Sequence, residues 1–354
     1  MTPASVQGPG RGGRREGWAE LVLPGEIRRL CEQMAAAARG EAFVLQAGDC
    51  AAEAAGDTGP RVVTGVRTLL QAALVLTYGT QVPVTKICRL PAHLDDAPAP
   101  CGLPRTHAGS ATMLNTVRAM TREASVADVR QVHQWNQQFV RTTAVGARYA
   151  ELARRIDRVM RFMAAWDFDD TRLRTTAIFA GRQLPLHDYE CPQLCREKDD
   201  DGVPWDLSSH FLWLGEGTRN MNGPHIAIAE SVANPLGLEI GPDTLPEEAV
   251  ECVRRLDPHF QPGRVTLMSG MGSGRVRDVL PPIVEKVTAS GHQVVWQCDP
   301  MRENSPLFHV AAEVRGFFEV HRRLGTYPGG IRLDLTDENA AMELAFLIAE
   351  TLRG

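Results

Sequence analysis

The sequence has no apolar run approaching the roughly 18–20 residues that span a bilayer, so a membrane-embedded chain is not expected. Charge of one sign is also scarce. Thirty-eight Lys and Arg stand against 43 Asp and Glu, a net charge of −5, which gives no electrostatic reason to expect nucleic acid or an anionic membrane as partner. Met1 to Gly17 lacks the apolar core of a signal peptide. Its Gly, Pro and Arg content reads as a flexible tail, and Arg11, Arg14 and Arg15 are too few for a binding arm. No solenoid repeat is visible. The eight cysteines form no disulfide framework or zinc pattern: only Cys191 and Cys195 are close, and no second pair follows them at zinc-site spacing. Scattered thiols without a secretory signal fit a reducing cytoplasm.

What is present is ordinary globular composition, 44% hydrophobic and 23% charged over 354 residues, enough to bury a large core. Apolar runs, each ending on Gly, Asp or another polar group, recur at Phe43–Gln46, Val82–Leu90, Thr175–Ala180, Phe211–Gly215, Leu238–Gly241, Val265–Met268, Val294–Cys298 and Ile331–Leu335. Segments of helical spacing separate them: Val62, Val66, Leu69, Leu70, Ala73 and Leu76 share one face, as do Leu344, Leu347, Ile348 and Leu352. Eight alternating units imply parallel pairing and a closed (β/α)8 barrel, the TIM barrel, spanning 18–354 as one domain behind the 1–17 tail. The connection over 91–170 is too long for a single crossover and reads as a helical insertion after strand two. One of its helices is expected to open at Ser125 with Asp128 three residues on.

In such a barrel the site lies at the C-terminal strand ends. Those ends bring Gln46, Asp49 and Cys50, Lys86 and Arg89, Arg182, Trp213 with Glu216 and Arg219, Asp299 with Arg302, and Asp334 to one mouth. A strand-end arginine inside a barrel needs an anionic partner, which makes Arg89 a candidate for holding substrate.

Eight stretches in order resemble the class II (plant-type) 3-deoxy-D-arabino-heptulosonate 7-phosphate synthases. They are GEAFVLQAGDCA (40–51), PVTKICRL (83–90), HAGSATMLN (107–115), SSHFLWLGEGTRNMNGPHI (208–226), ANPLGLEIGP (233–242), PGRVTLMSGMG (262–272), VVWQCDPMREN (294–304) and FFEVHRRLGTYPGGIRLDLTDEN (317–339). The resemblance implies a (β/α)8 barrel that adds C3 of phosphoenolpyruvate to the aldehyde of erythrose 4-phosphate, with a divalent metal as Lewis acid. It places Cys50 and Asp334 at residual metal-ligand positions. It puts Arg302 where the family has a histidine, and finds no loop carrying the fourth ligand. The strand-five lysine is replaced by Glu239. Arginines give way to Gly270 and Gly217, and Asp95 and Asp96 stand where a sugar phosphate would dock.

These departures lead to the expectation of a repurposed enzyme of specialised (natural-product or antibiotic) metabolism. It would carry out metal-independent C–C bond formation, cyclisation or lyase/dehydration on a small carboxylate or carbonyl substrate, with no cofactor. The expected catalytic residues are Cys50, Glu216, His225, Arg302 and Asp334, with Arg302 in the metal's place and Asp334 as its ion-pair partner. Gln46, Asp49, Lys86, Arg89, Trp213, Arg219 and Asp299 would bind substrate. Plainer roles stand beside these: Cys50 as a buried thiol, His225 as a structural hydrogen-bonder, and Arg302 with Asp334 as a rim ion pair. Two alternatives remain open. One is a genuine synthase whose metal site is rebuilt from residues such as His93, Asp95 or His187. The other is a non-catalytic homologue that binds a metabolite or partner enzyme. A cytoplasmic homodimer is expected in the enzyme readings.

Overall fold

Phe43-Val44-Leu45 is apolar on both of its faces, as a strand must be when helices cover one side and a packed lumen the other. The computed structural model describes residues 20–48, 59–90, 105–122, 128–166, 177–184, 194–198, 202–300, 306–335 and 337–353. It places this segment in the first strand of a closed parallel barrel. The strands, numbered along the chain, are Phe43–Gly48 (β1), Val84–Arg89 (β2), Ile178–Gln183 (β3), Leu194–Lys198 (β4), Pro204–Asp206 (β5), Phe211–Leu214 (β6), Leu236–Ile240 (β7), Val265–Ser269 (β8), Val295–Cys298 (β9) and Gly330–Asp334 (β10). The barrel closes in the order β1-β10-β9-β8-β7-β6-β3-β2, while β4 and β5 pair antiparallel outside it.

The helices are Pro24–Ala38 (α1), Gly59–Thr80 (α2), Arg105–Arg122 (α3), Val129–Thr142 (α4), Ala150–Ala165 (α5), Pro224–Glu230 (α6), Pro246–Leu256 (α7), Val276–Ala289 (α8), Leu307–Leu324 (α9) and Glu338–Arg353 (α10). Among the described residues, α3, α4 and α5 lie between β2 and β3. The opening of α4 differs from the expected one: Asp128 itself is the N-cap and accepts from the Arg130 amide at 2.8 Å. Ser125 lies outside the described residues, as does the 1–17 tail. The third strand begins three residues later than its apolar run suggests, at Ile178, and runs through Gly181-Arg182-Gln183.

Two hydrophobic clusters divide the core. One packs the strands against the helices. The other fills the lumen with Val44, Ile87, Phe179, Phe211, Trp213, Met268 and Val295, and takes in Leu30, Met34 and Ala37 of α1. A helix not singled out from the sequence therefore seals one end of the barrel, and polar lumen residues gather at the other.

One helix, from Pro60 to Thr80, is after all long and apolar enough to cross a membrane by length and composition. Two thirds (67%) of its most apolar stretch is buried, and it packs on α10. That contact is close: a Cβ at Gly79 would fall 2.6 Å from the Ala349 Cα, so glycine sets the spacing of the two helices.

Candidate functional site

Residues two apart on a strand share a face, and the strand register carries that rule around the lumen. Gln46 lies opposite Ile87 on β2 and Arg332 on β10. Gln297 lies opposite Gly330 and Met268, and Met268 opposite Glu239. Trp213 lies opposite Gly237 and Gln183, and Arg89 opposite Gly181. Gln46, Arg89, Trp213, Glu239, Gln297, Arg332 and Asp334 therefore face the lumen towards its C-terminal end, with Asp299 one step past Cys298.

Arg332 is the hub of this ring. Its Nη1 donates to Asp299 Oδ2 at 2.8 Å and to Glu239 Oε1 at 3.3 Å. Its guanidinium carbon lies 5.8 Å from the centroid of Trp213, and that of Arg89 lies 5.4 Å from the same centroid, both within cation–π range. Asp299 is fixed from behind, its backbone amide donating to Ser269 O at 2.7 Å. Below the ring, Gln297 Nε2 donates to Gln46 Oε1 at 3.1 Å.

Several expected site residues lie elsewhere. Lys86 is three residues from Arg89 and so faces the opposite side of β2, towards the helices. Its Nζ donates to Val84 O at 2.9 Å, and desolvation pulls its pKa down to about 8. Arg219 does not join Arg89. Its Nη1 donates to Thr244 Oγ1 at 2.7 Å and Glu239 O at 3.1 Å. Its other nitrogens meet Glu248 at 3.3 Å and Glu216 at 3.6 Å. The buried guanidinium thus ties the loops after β6 and β7 together, with Glu216 as one of its counter-ions. His225 sits, partly exposed, in the first turn of α6. Arg182, one residue out of phase with the lumen-facing Gly181 and Gln183, is buried on the outer face of β3. Asp49, Cys50, Arg302, His93, Asp95 and His187 lie outside the described residues, so the expected Arg302–Asp334 pair does too.

Arg332, Glu239 and Gln297 were not anticipated as site residues. The signal was the strand period: Arg332 stands two residues before Asp334, and Gln297 two before Asp299.

The class-II DAHP synthetase family matches residues 15–94 and 92–344. The chain belongs to that family. It is 40% identical over 407 aligned residues to phospho-2-dehydro-3-deoxyheptonate aldolase AroG of Mycolicibacterium smegmatis, covering 94% of this chain and 88% of that one. It is also 40% identical over 366 residues to phospho-2-dehydro-3-deoxyheptonate aldolase of Streptomyces coelicolor, covering 92% and 81%. Among solved structures, a truncated 3-deoxy-D-arabino-heptulosonate 7-phosphate synthase from Thermotoga maritima aligns over 88% of this chain and 86% of its own at 12% identity. Its TM-score of 0.41 is too loose to argue from.

These relatives correct two expectations. Identity of this extent to proteins named as the aldolase overturns the reading as an enzyme repurposed for specialised metabolism. Membership of a family that works with a divalent metal overturns the expectation that no cofactor is needed. The described residues do not by themselves form a donor set for a dication. No group of three or more His, Cys, Asp or Glu suited to a metal occurs among them, and a guanidinium lies between Glu239 and Asp299. Asp334 is described and faces the lumen; Cys50, the other implied ligand, is not among the described residues.

Proposed function

We propose that the chain is a 3-deoxy-D-arabino-heptulosonate 7-phosphate synthase. C3 of phosphoenolpyruvate bonds to the aldehyde carbon of erythrose 4-phosphate, whose oxygen takes a proton to become a hydroxyl; water adds at C2, left electrophilic by that bond, and cleavage of the C2–O bond releases inorganic phosphate and leaves a ketone. The observation that carries this reading is the 40% identity sustained over 94% and 92% of the chain with relatives of that name.

The lumen offers groups suited to the task. Arg89 and Arg332 over Trp213 supply positive charge for an anionic substrate. Asp299 fixes one of those cations with Glu239 beside it, and the ring opens at the strand ends where substrates enter a barrel of this kind. A cytoplasmic location and a homodimeric assembly go with this reading.

The test is consumption of phosphoenolpyruvate and release of phosphate by the purified full chain given erythrose 4-phosphate. It is run as isolated, after chelation, and after Mn²⁺ is restored. Turnover that falls with the chelator and returns with Mn²⁺ is the expected result. Absence of turnover under all three conditions sinks the assignment.

A further inference from the structure

Arg332 uses its guanidinium unevenly. Both carboxylates, Asp299 and Glu239, meet the same nitrogen, Nη1. The group carries five N–H donors in a planar fork, and among the described residues the Nε/Nη2 edge has no hydrogen-bond partner. That edge can engage a carboxylate with two parallel bonds. The side chain is 13% exposed, against 1% for Asp299, so Arg332 is reachable from the mouth while the residue that anchors it is not. Its neighbour over the Trp213 ring is a second guanidinium, that of Arg89. The ring thus presents a held cation with a bidentate edge turned away from its counter-ions.

We propose that Arg332 is the carboxylate-binding residue of this site. Its Nε/Nη2 edge takes the carboxylate of phosphoenolpyruvate, Asp299 fixes the guanidinium, and Glu239 stands beside the bound anion as a like charge that weakens it. The identity of the ligand rests on the function proposed above; the role of Arg332 as a carboxylate receptor rests on the ring geometry. Glu239 distinguishes this from a purely structural ion pair. A counter-ion needed only to hold Arg332 in place would weaken binding when neutralised, whereas a repelling neighbour strengthens it.

Calorimetric titration of the full chain with phosphoenolpyruvate, pyruvate and inorganic phosphate, without the sugar phosphate, tests this. Pyruvate keeps the carboxylate and drops the phosphate; inorganic phosphate does the reverse. Arg332→Gln is expected to weaken phosphoenolpyruvate and pyruvate roughly tenfold or more, as loss of a charge-assisted pair does, and to leave inorganic phosphate unchanged. Glu239→Gln is expected to tighten phosphoenolpyruvate severalfold. Wild-type affinity in Arg332→Gln, loss of inorganic phosphate but not pyruvate, weakened binding in Glu239→Gln, or no phosphoenolpyruvate binding by the wild type each overturns the proposal. If Arg332→Gln does not fold, Arg332→Lys decides, because it keeps the charge and lacks the planar fork: unchanged affinity for pyruvate overturns the proposal. Arg332-dependent binding without turnover in the assay above removes the synthase assignment and leaves this one standing. Turnover with an unchanged KM for phosphoenolpyruvate in Arg332→Gln does the opposite.

Discussion

Asp299 holds Arg332 from β9 to β10 with a 2.8 Å contact, and the carboxylate that makes it is 1% exposed. A buried charge pair is costly to break from one side, because the surviving partner is left desolvated. Here Glu239, at 3.3 Å, still faces the guanidinium when Asp299 is gone, which moderates the loss. Asp299→Ala is therefore expected to destabilise the fold by about 2–3 kcal/mol. Asp299→Asn, which keeps an acceptor but not the charge, should cost about 1 kcal/mol. Urea midpoints at unchanged m-value measure both, and wild-type midpoints in both variants would show that the pair contributes nothing to stability.

At the sealed end of the barrel, Glu26 of α1 predicts acid sensitivity. Its Oε2 lies 3.5 Å from His210 Nε2 and 3.0 Å from Arg118, and accepts from the Leu23 amide at 2.9 Å. The hydrogen bond from His210, joined by the Leu23 amide, holds the carboxyl at about 2 against partial desolvation, which pushes the other way. His210 is itself lowered, because burial outweighs the pull of Glu26. The Ala180 amide donates to its Nδ1 at 2.9 Å, which leaves Nε2–H for Glu26. Both folded-state values lie below those of the unfolded chain, so the unfolded state binds more protons and stability is lost as the pH is lowered. The His210 contribution starts to disappear below its ordinary 6.5, and that of Glu26 between its ordinary 4.5 and about 2. Glu26→Gln should lower stability at pH 7 and flatten the limb below 4.5. Parallel wild-type and variant curves of stability against pH would refute this.

The barrel is legible because eight buried parallel strands must each carry a predominantly apolar run, and a count of runs survives errors in their ends. β3 was displaced because Gly181-Arg182-Gln183 does not look like a strand. Yet a Cβ at Gly181 would come within 3.0 Å of Ile87 Cγ2, so the glycine is a packing requirement there rather than a break. The β4–β5 hairpin, Leu-Cys-Arg-Glu-Lys against Pro-Trp-Asp, carries too little alternation to be seen. At the site, the strand ends mark which end of the barrel is functional, but the strand period decides which side chains reach the lumen there. Three residues put Lys86 and Arg89 on opposite sides of β2, and two residues put Arg332 on the same face as Asp334. The metal and function expectations failed differently. Individual charge changes such as Glu239 and Gly270 say less about the reaction than 40% identity to the aldolases sustained through more than nine tenths of the chain.

Gly237 lies on β7 in the lumen directly against the ring's aromatic support. A Cβ there would fall 2.7 Å from Trp213 Cβ, 2.9 Å from Met268 Sδ and 2.9 Å from Phe211 Cζ. The indole must shift to admit a methyl, and Arg89 and Arg332 both rest over it. Gly237→Ala is expected to destabilise by about 1–3 kcal/mol, as overpacking does. It should also lower kcat/KM beyond what the unfolded fraction explains. A variant with wild-type melting and activity would mean the lumen yields without moving Trp213.

Trp213 is fully buried, and its indole Nε1 has no hydrogen-bond partner among the described residues. Core packing alone would be served by phenylalanine, which removes the orphan donor and the desolvation penalty that goes with it. Against that stand a smaller ring, which leaves some unfilled space, and a weaker aromatic face for the two guanidinium groups. These effects oppose one another in stability, so Trp213→Phe should melt with a stability within about 1 kcal/mol of wild type. They do not oppose one another in binding, where both the lost surface and the slacker arginines act in the same direction. The KM for phosphoenolpyruvate should rise severalfold with a smaller change in kcat. A loss of stability of about 3 kcal/mol or more would instead mean that the indole N–H is satisfied in solution, by an ordered water held in the lumen. An unchanged KM would mean that the ring packs the barrel without steadying Arg89 and Arg332.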